Sequence, residues 1–228
     1  MPTIVLFDID GTLLDAHGAG RRAMVAGFAA TTGRPEGLDG ILFAGMTDRS
    51  IVRTGLMAGG VEAHDELIEA VIAAYLERLP HELSARPPRV LPGVEALLDW
   101  LPAGPGVALG LGTGNVEDGA RAKLRAVGLD ERFAFGGFGS DHEQRDRVLE
   151  AGAERGAAAL RHPREQCRVL VVGDTLRDVA AALAIGAECL AVATSHDDAP
   201  TLRRAGASEV VADLTADEAR TWLAERLT

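Results

Sequence analysis

Thr3-Ile4-Val5-Leu6-Phe7-Asp8-Ile9-Asp10-Gly11-Thr12-Leu13 is the stretch from which the rest of the chain can be read. Its first five residues are apolar or β-branched, with no polar alternation, so they predict a strand buried on both faces. The run meets a carboxylate at Asp8, a second at Asp10, then a glycine. A strand buried on both faces needs helices above and below it, and the chain downstream supplies them. Further runs of this kind lie at 107–111, 168–172, 188–193 and 209–211, the first of them after a Pro/Gly-rich break at 102–106. Ala-rich amphipathic stretches at 94–101, 116–127, 147–160, 176–185, 199–205 and 216–226 read as helices between and after them. Strand and helix in alternation predict an α/β fold, with a Rossmann-like parallel sheet core and helices on both faces.

Residues 15–88 break this rhythm. They show no convincing strand. Helices are predicted at 20–31, 47–58 and 63–83, with breaks at 33–35 and 59–60 and an end at Pro87-Pro88. An all-helical block inserted after the first strand is expected to lie over that strand's carboxyl end as a cap domain (15–88), with 1–14 and 89–228 forming the core.

Composition narrows the class. Of 228 residues, 47% are apolar and 25% charged, as in an ordinary globular protein. A net charge of −11 argues against nucleic acid or an anionic membrane as partner, since both would be repelled at long range. Any phosphate-bearing ligand must find local positive charge. Lys123 is the only lysine; every other Lys/Arg position is arginine. Cys167 and Cys189 are too few, and too embedded in apolar sequence, to suggest disulfides. The opening residues lack a signal-peptide pattern and no apolar run reaches membrane length, so a cytoplasmic protein is expected. Aromatic residues, at 4%, offer few interface anchors. A monomer is the default expectation, with a homodimer open.

Ligands of open α/β sheets bind beyond the carboxyl ends of the strands. There the sequence puts Asp8-Ile9-Asp10-Gly11-Thr12, Gly112-Thr113-Gly114-Asn115 and Gly173-Asp174-Thr175-Leu176-Arg177-Asp178. Converging carboxylates repel one another unless a cation intervenes. Mg²⁺ suits them, because it takes a few carboxylates together with water and phosphate oxygens. Asp8 and Asp174 could hold it. One aspartate could then attack phosphorus, and another two residues away could move the proton. The Thr113 hydroxyl and neighbouring backbone amides at Gly114 and Asn115 could bind phosphoryl oxygens.

These three segments resemble, in order and spacing, the first, second and fourth motifs of the haloacid dehalogenase superfamily. The helical insert resembles the cap of its phosphoglycolate-phosphatase-like branch. The resemblance implies a Mg²⁺-dependent phosphatase acting on small phosphate monoesters, phosphoglycolate-like or sugar phosphates, through an aspartyl-phosphate. Asp8 would be the nucleophile and Asp10 the general acid and base, its backbone carbonyl a metal ligand. Thr113 would bind the phosphoryl group, Asp174 would bind Mg²⁺, and Asp178 would support the metal directly or through water. Gly11 would make the turn toward the cap. The family's third motif is usually a lysine between the second and fourth. Here only Lys123 lies in that interval, too early for the role. Arg145 is the expected substitute, with Arg147 second.

Within the insert, Thr47, Asp48 and Arg49 in the loop Gly45-Met46-Thr47-Asp48-Arg49, together with His17 and Arg21, are candidates to read the substrate. Asp197-Asp198 reads as a solvated loop. A phosphosugar mutase on the same core residues stays open. Dehalogenation needs neither Asp10 nor Asp174. Schiff-base phosphonate hydrolysis would require a cap lysine that 15–88 lacks. A non-catalytic binding protein would be expected to have lost Asp8 or Asp10.

Overall fold

The structure is a computed structural model that describes residues 1–101 and 106–227; the break read at 102–106 falls, apart from Gly106, outside them. Its centre is a six-stranded sheet of β1 (Thr3–Phe7), β4 (Val107–Gly112), β5 (Gly136–Gly137), β6 (Arg168–Gly173), β7 (Glu188–Val192) and β8 (Glu209–Val211). The order is β5-β4-β1-β6-β7-β8 and every pairing is parallel. β1 is the central strand because its residues are apolar or β-branched throughout; Thr3 to Phe7 are all buried. Its side chains alternate between two layers. Val5 and Phe7 pack with α4 (Val94–Trp100), α5 (Glu117–Arg125) and α9 (Asp217–Arg226). Ile4 and Leu6 pack with α6 (Arg145–Leu160), α7 (Leu176–Ala184) and α8 (Ala199–Arg204). Full burial of such a side chain contributes about 1.5–3 kcal/mol, so the central strand is a principal source of stability.

β1 pairs with β4 on one side and with β6 on the other, and the connections beyond them run in opposite directions. That reversal opens a crevice at its carboxyl end, where Asp8 follows Phe7.

Three helices lie between residues 15 and 88: α1 (Ala19–Thr32), α2 (Asp48–Ala58) and α3 (Asp65–Ala85). α1 buries Ala23, Met24 and Phe28 against α3, which contributes Val71, Ile72, Tyr75 and Leu79. Ile51, Val52 and Leu56 of α2 join the same apolar cluster.

Two expectations need correction. Residue 15 is in a strand: β2 (Leu14–Asp15) pairs antiparallel with β3 (Arg89–Val90), at the two ends of the helical insert. β5 is also unforeseen, because Gly136-Gly137 carries no β-branched or apolar side chain. Packing explains the glycines. A Cβ on Gly136 would press on Leu111, and one on Gly137 would collide with the Val148 carbonyl of α6. Helix α6 begins at Arg145, two residues earlier than predicted, which brings that arginine to the sheet edge. Cys167 and Cys189 are buried and unpaired. Among the described residues no helix is long and apolar enough to cross a membrane.

Candidate active site

The chain turns sharply after Asp8. Gly11 takes φ +84, in the left-handed region that favours glycine, and a Cβ there would strike the Asp174 carboxylate. This close approach joins the loop after β1 to the loop after β6. Thr12 Oγ1 donates to Asp174 Oδ1 at 3.0 Å, and Thr194 Oγ1 donates to the Gly11 carbonyl.

Asp8, Asp174 and Asp178 are all buried, each with a carboxylate oxygen within 4.8 Å of the others. Arg145 reaches into this group from the first turn of α6. One of its NH₂ groups lies 2.9 Å from Asp8 Oδ1 and 2.6 Å from Asp178 Oδ1, and its Nε donates to Asp178 Oδ1 at 2.7 Å. Arg147 instead pairs with Glu150 on the exposed face of α6. Arg145, not Arg147, is therefore the cation beside Asp8.

One guanidinium does not balance three carboxylates. Burial pushes Asp8 up to about 6; Arg145 pulls it down, and Asp178 and Asp10 push it up again. Asp174 is raised well above the usual carboxylate range, by burial first and then by Asp178 and Asp8. The donor set is hard oxygen in negative excess, which fits a divalent cation.

Asp178 has little left to offer. Its Oδ2 accepts from the backbone amides of Asp174 and Thr175 and from Thr175 Oγ1, at 2.7–3.2 Å, closing a capping box on α7. Its Oδ1 takes Arg145. It anchors the arginine and the helix.

Asp10 projects from the turn, 43% exposed, on a separate polar chain. Lys123 Nζ lies 2.5 Å from its Oδ2, and Asn115 Nδ2 donates to the same oxygen at 2.8 Å. Lys123 also donates to Asn115 Oδ1 at 2.6 Å, while Asn115 Nδ2 reaches Thr113 Oγ1 at 2.9 Å. Lys123 is thus part of the site, although the sequence reading set it aside. A signal was available: in a chain whose other Lys/Arg positions are all arginine, one lysine has been kept.

A cavity of about 560 Å³ opens over these groups. Asp8, Asp10, Gly114, Asn115, Arg145, Asp174 and Lys123 line it from below; Arg21, Phe43, Met46 and Asp48 line it from the insert. Thr113 does not line it: the residue is fully buried, and its hydroxyl oxygen serves Asn115. Of the residues proposed to read the substrate, only Arg21 and Asp48 face the cavity. Arg21 stacks on Phe43 at 4.4 Å and donates to the Ile41 carbonyl at 2.9 Å. Asp48 Oδ2 accepts from the Val116 amide at 2.9 Å. The other three are engaged elsewhere. His17 pairs with Asp15, Thr47 caps α2 while donating to the Glu143 carbonyl, and Arg49 pairs with Glu69, Asp65 and Glu143. The Asp197-Asp198 loop is less idle than expected: Asp197 accepts from the Leu176 amide and Asp198 caps α8.

Comparison with known proteins agrees with this geometry. Residues 2–186 match the haloacid dehalogenase-like hydrolases. Phosphoglycolate phosphatase 1 of Pseudomonas aeruginosa is 32% identical over 219 residues, 89% of this chain and 76% of that one. A phosphoglycolate phosphatase of Pseudomonas putida is 29% identical over 225 residues, 95% of this chain and 78% of that one. Among solved structures, a hydrolase from Pseudomonas syringae superposes with a TM-score of 0.69 at 23% identity, over 98% of both chains. With the match running from the first strand through the third polar segment, Gly173–Asp178, the chain belongs to the haloacid dehalogenase-like hydrolases and is an enzyme of their phosphatase kind.

Proposed function

We propose that the enzyme hydrolyses small phosphate monoesters, phosphoglycolate-like or sugar phosphates, with Mg²⁺ and through an aspartyl-phosphate on Asp8. The observation that carries the reading is the position of Asp8. It directly follows the central strand, faces the cavity, and has Arg145 2.9 Å from the oxygen that would attack. Asp8, Asp174 and the Asp10 carbonyl would hold Mg²⁺, with Asp178 behind them. When bound, the ion neutralises the carboxylates and polarises the phosphoryl group.

The chain's own residues do the rest. Asp8 attacks phosphorus as the ester P–O bond breaks. The electron pair leaves with the alkoxide oxygen, which takes a proton from Asp10. Water then attacks the aspartyl-phosphate and gives its proton back to Asp10, so phosphate leaves and Asp8 returns as a carboxylate. Arg145 neutralises charge on the phosphoryl oxygens, and the amides around Gly114 and Asn115 bind them. The helical insert, 15–88, would serve as a cap over the core of 1–14 and 89–228. It excludes bulk water and lets Arg21 and Asp48 read the rest of the substrate.

The test is phosphate release from p-nitrophenyl phosphate and a panel of metabolite monoesters, including phosphoglycolate. Release is expected to need Mg²⁺, to stop with EDTA and to vanish in Asp8→Asn. Release that survives Asp8→Asn would assign the nucleophile elsewhere. Equal rates on every ester would remove the substrate class from the reading.

A further inference from the structure

A proton carrier must point at the leaving oxygen and carry its proton on the right atom. Asp10 hangs from a turn, and 43% exposure gives it little packing to fix its direction. Two donors fix it instead, and both take the same oxygen: Lys123 Nζ at 2.5 Å and Asn115 Nδ2 at 2.8 Å are bonded to Oδ2. With Oδ2 committed to these donors, Oδ1 is the oxygen left to face a leaving group in the cavity.

Lys123 itself is held tightly. It stands two turns into α5, 4% exposed, and its ammonium group is tied to Asn115 Oδ1 at 2.6 Å. Above it passes α1 of the insert, at Gly20. A Cβ there would lie 3.1 Å from Lys123 Nζ and 3.4 Å from its Cε. The absent side chain makes the room in which the ammonium sits. Asp48, from α2, adds a second carboxylate to the electrostatic surroundings of this lysine. A compact ammonium suits so narrow a space, where a planar guanidinium would not.

We propose that Lys123 is the positioning residue for Asp10: it pins Oδ2 so that Oδ1 delivers the proton, in a space kept open by Gly20. The inference rests on the phosphatase reading above, with Asp10 as the proton carrier.

Leaving-group chemistry separates this role from a structural one. An alkoxide is a strong base and departs only with a proton, whereas p-nitrophenolate is a weak base and departs without one. The quantity to compare is kcat/KM, which covers events up to the departure of the leaving group. For Lys123→Met, kcat/KM on the fastest alkyl monoester of the panel should fall on the order of 10²-fold, the low end of what a positioned proton carrier contributes. On p-nitrophenyl phosphate it should stay within a few fold of wild type. Asp10→Asn should lose activity on the alkyl monoester at least as strongly. Gly20→Ala reads the same contact from the other side, should Lys123→Met fail to fold. It favours the helix by propensity, yet should lose alkyl-ester activity selectively. Equal losses on both esters, or none, would overturn the proposal while leaving the phosphatase reading in place. A wild type with no Mg²⁺-dependent release, or with release that survives Asp8→Asn, would overturn the phosphatase reading and the positioning role with it.

Discussion

Arg145 has three carboxylates around it and is buried with them, so removing it strands negative charge. Burial works against its own charge, but Asp178 and Asp8 outweigh that and keep it protonated. Breaking a buried pair from one side costs about 3–5 kcal/mol. Arg145→Ala in EDTA is therefore expected to lose about that much in urea unfolding, and a loss below 1 kcal/mol would deny the cluster its charge balance. Asp48 gives a pH signature. Burial pushes it up to about 6, against the pull of Lys123 and the Val116 amide. A carboxyl raised in the folded state contributes stability below its unfolded value near 4, and that contribution is lost as pH rises through 6. Between pH 4.5 and 7.5 without metal, Asp48→Asn should lose about 2 kcal/mol less stability than wild type. Parallel pH curves would count against it. Tyr75 makes a smaller test. Its hydroxyl is buried with no hydrogen-bond partner, so Tyr75→Phe should leave stability unchanged or raise it by about 1 kcal/mol. At this scale the sequence showed Asp8, Asp10, Asp174 and Arg145, each next to a strand end or in the right interval. It did not show that Thr113 turns inward or that Lys123 reaches Asp10. Those outcomes depend on how α5 packs against the insert, and no local spacing encodes that.

Between elements, the loop before α6 is the junction. Arg53 of α2 forks onto Glu143 at 2.8–3.0 Å, and Thr47 holds the Glu143 carbonyl at 2.9 Å. Two residues later comes Arg145. The insert and the buried Arg145 cation thus share one short segment. These pairs are partly exposed, so they add little stability, about 0–1 kcal/mol. Their effect should appear in motion. Glu143→Ala is expected to shift the melting temperature little but to speed amide hydrogen exchange across residues 43–48; unchanged exchange there would show that the Glu143 contacts do not hold the loop. Strands β1, β4, β6, β7 and β8 were legible as apolar, β-branched runs. β2, β3 and β5 were not, because each is two residues long and owes its pairing to the partner strand.

Across the whole molecule, a net charge of −11 surrounds a cavity lined by Arg21, Lys123, Arg145 and Arg89. An anionic ester meets repulsion at long range, and attraction only close to these cations themselves, because Asp8, Asp10, Asp15, Asp48 and Asp174 line the same cavity. Added KCl shortens the reach of the repulsion from about 30 Å at 0.01 M to about 10 Å at 0.1 M. Over that interval kcat/KM should rise; a steady fall would mean that the cavity's field already dominates outside. The parallel architecture was readable from alternation alone, since each apolar run is separated by a helix-length amphipathic stretch. The insert was readable as a break in that alternation, although not where its ends meet.

They meet in the β2–β3 pair, with Leu14 opposite Val90 and Asp15 opposite Arg89. Both strands are antiparallel and adjacent, so a two-residue turn would suffice to bridge them. In topological terms everything from residue 16 to residue 88 is a loop returning to its own starting point. Asp8, Asp10, Arg145 and Asp174 all lie outside it. The segment is consequently a cassette. Any other unit with neighbouring ends, and an apolar underside to cover Ile9, Leu13 and Val116, could be exchanged for it. New ester preferences would then arise by replacement of one module, with the phosphoryl chemistry inherited intact.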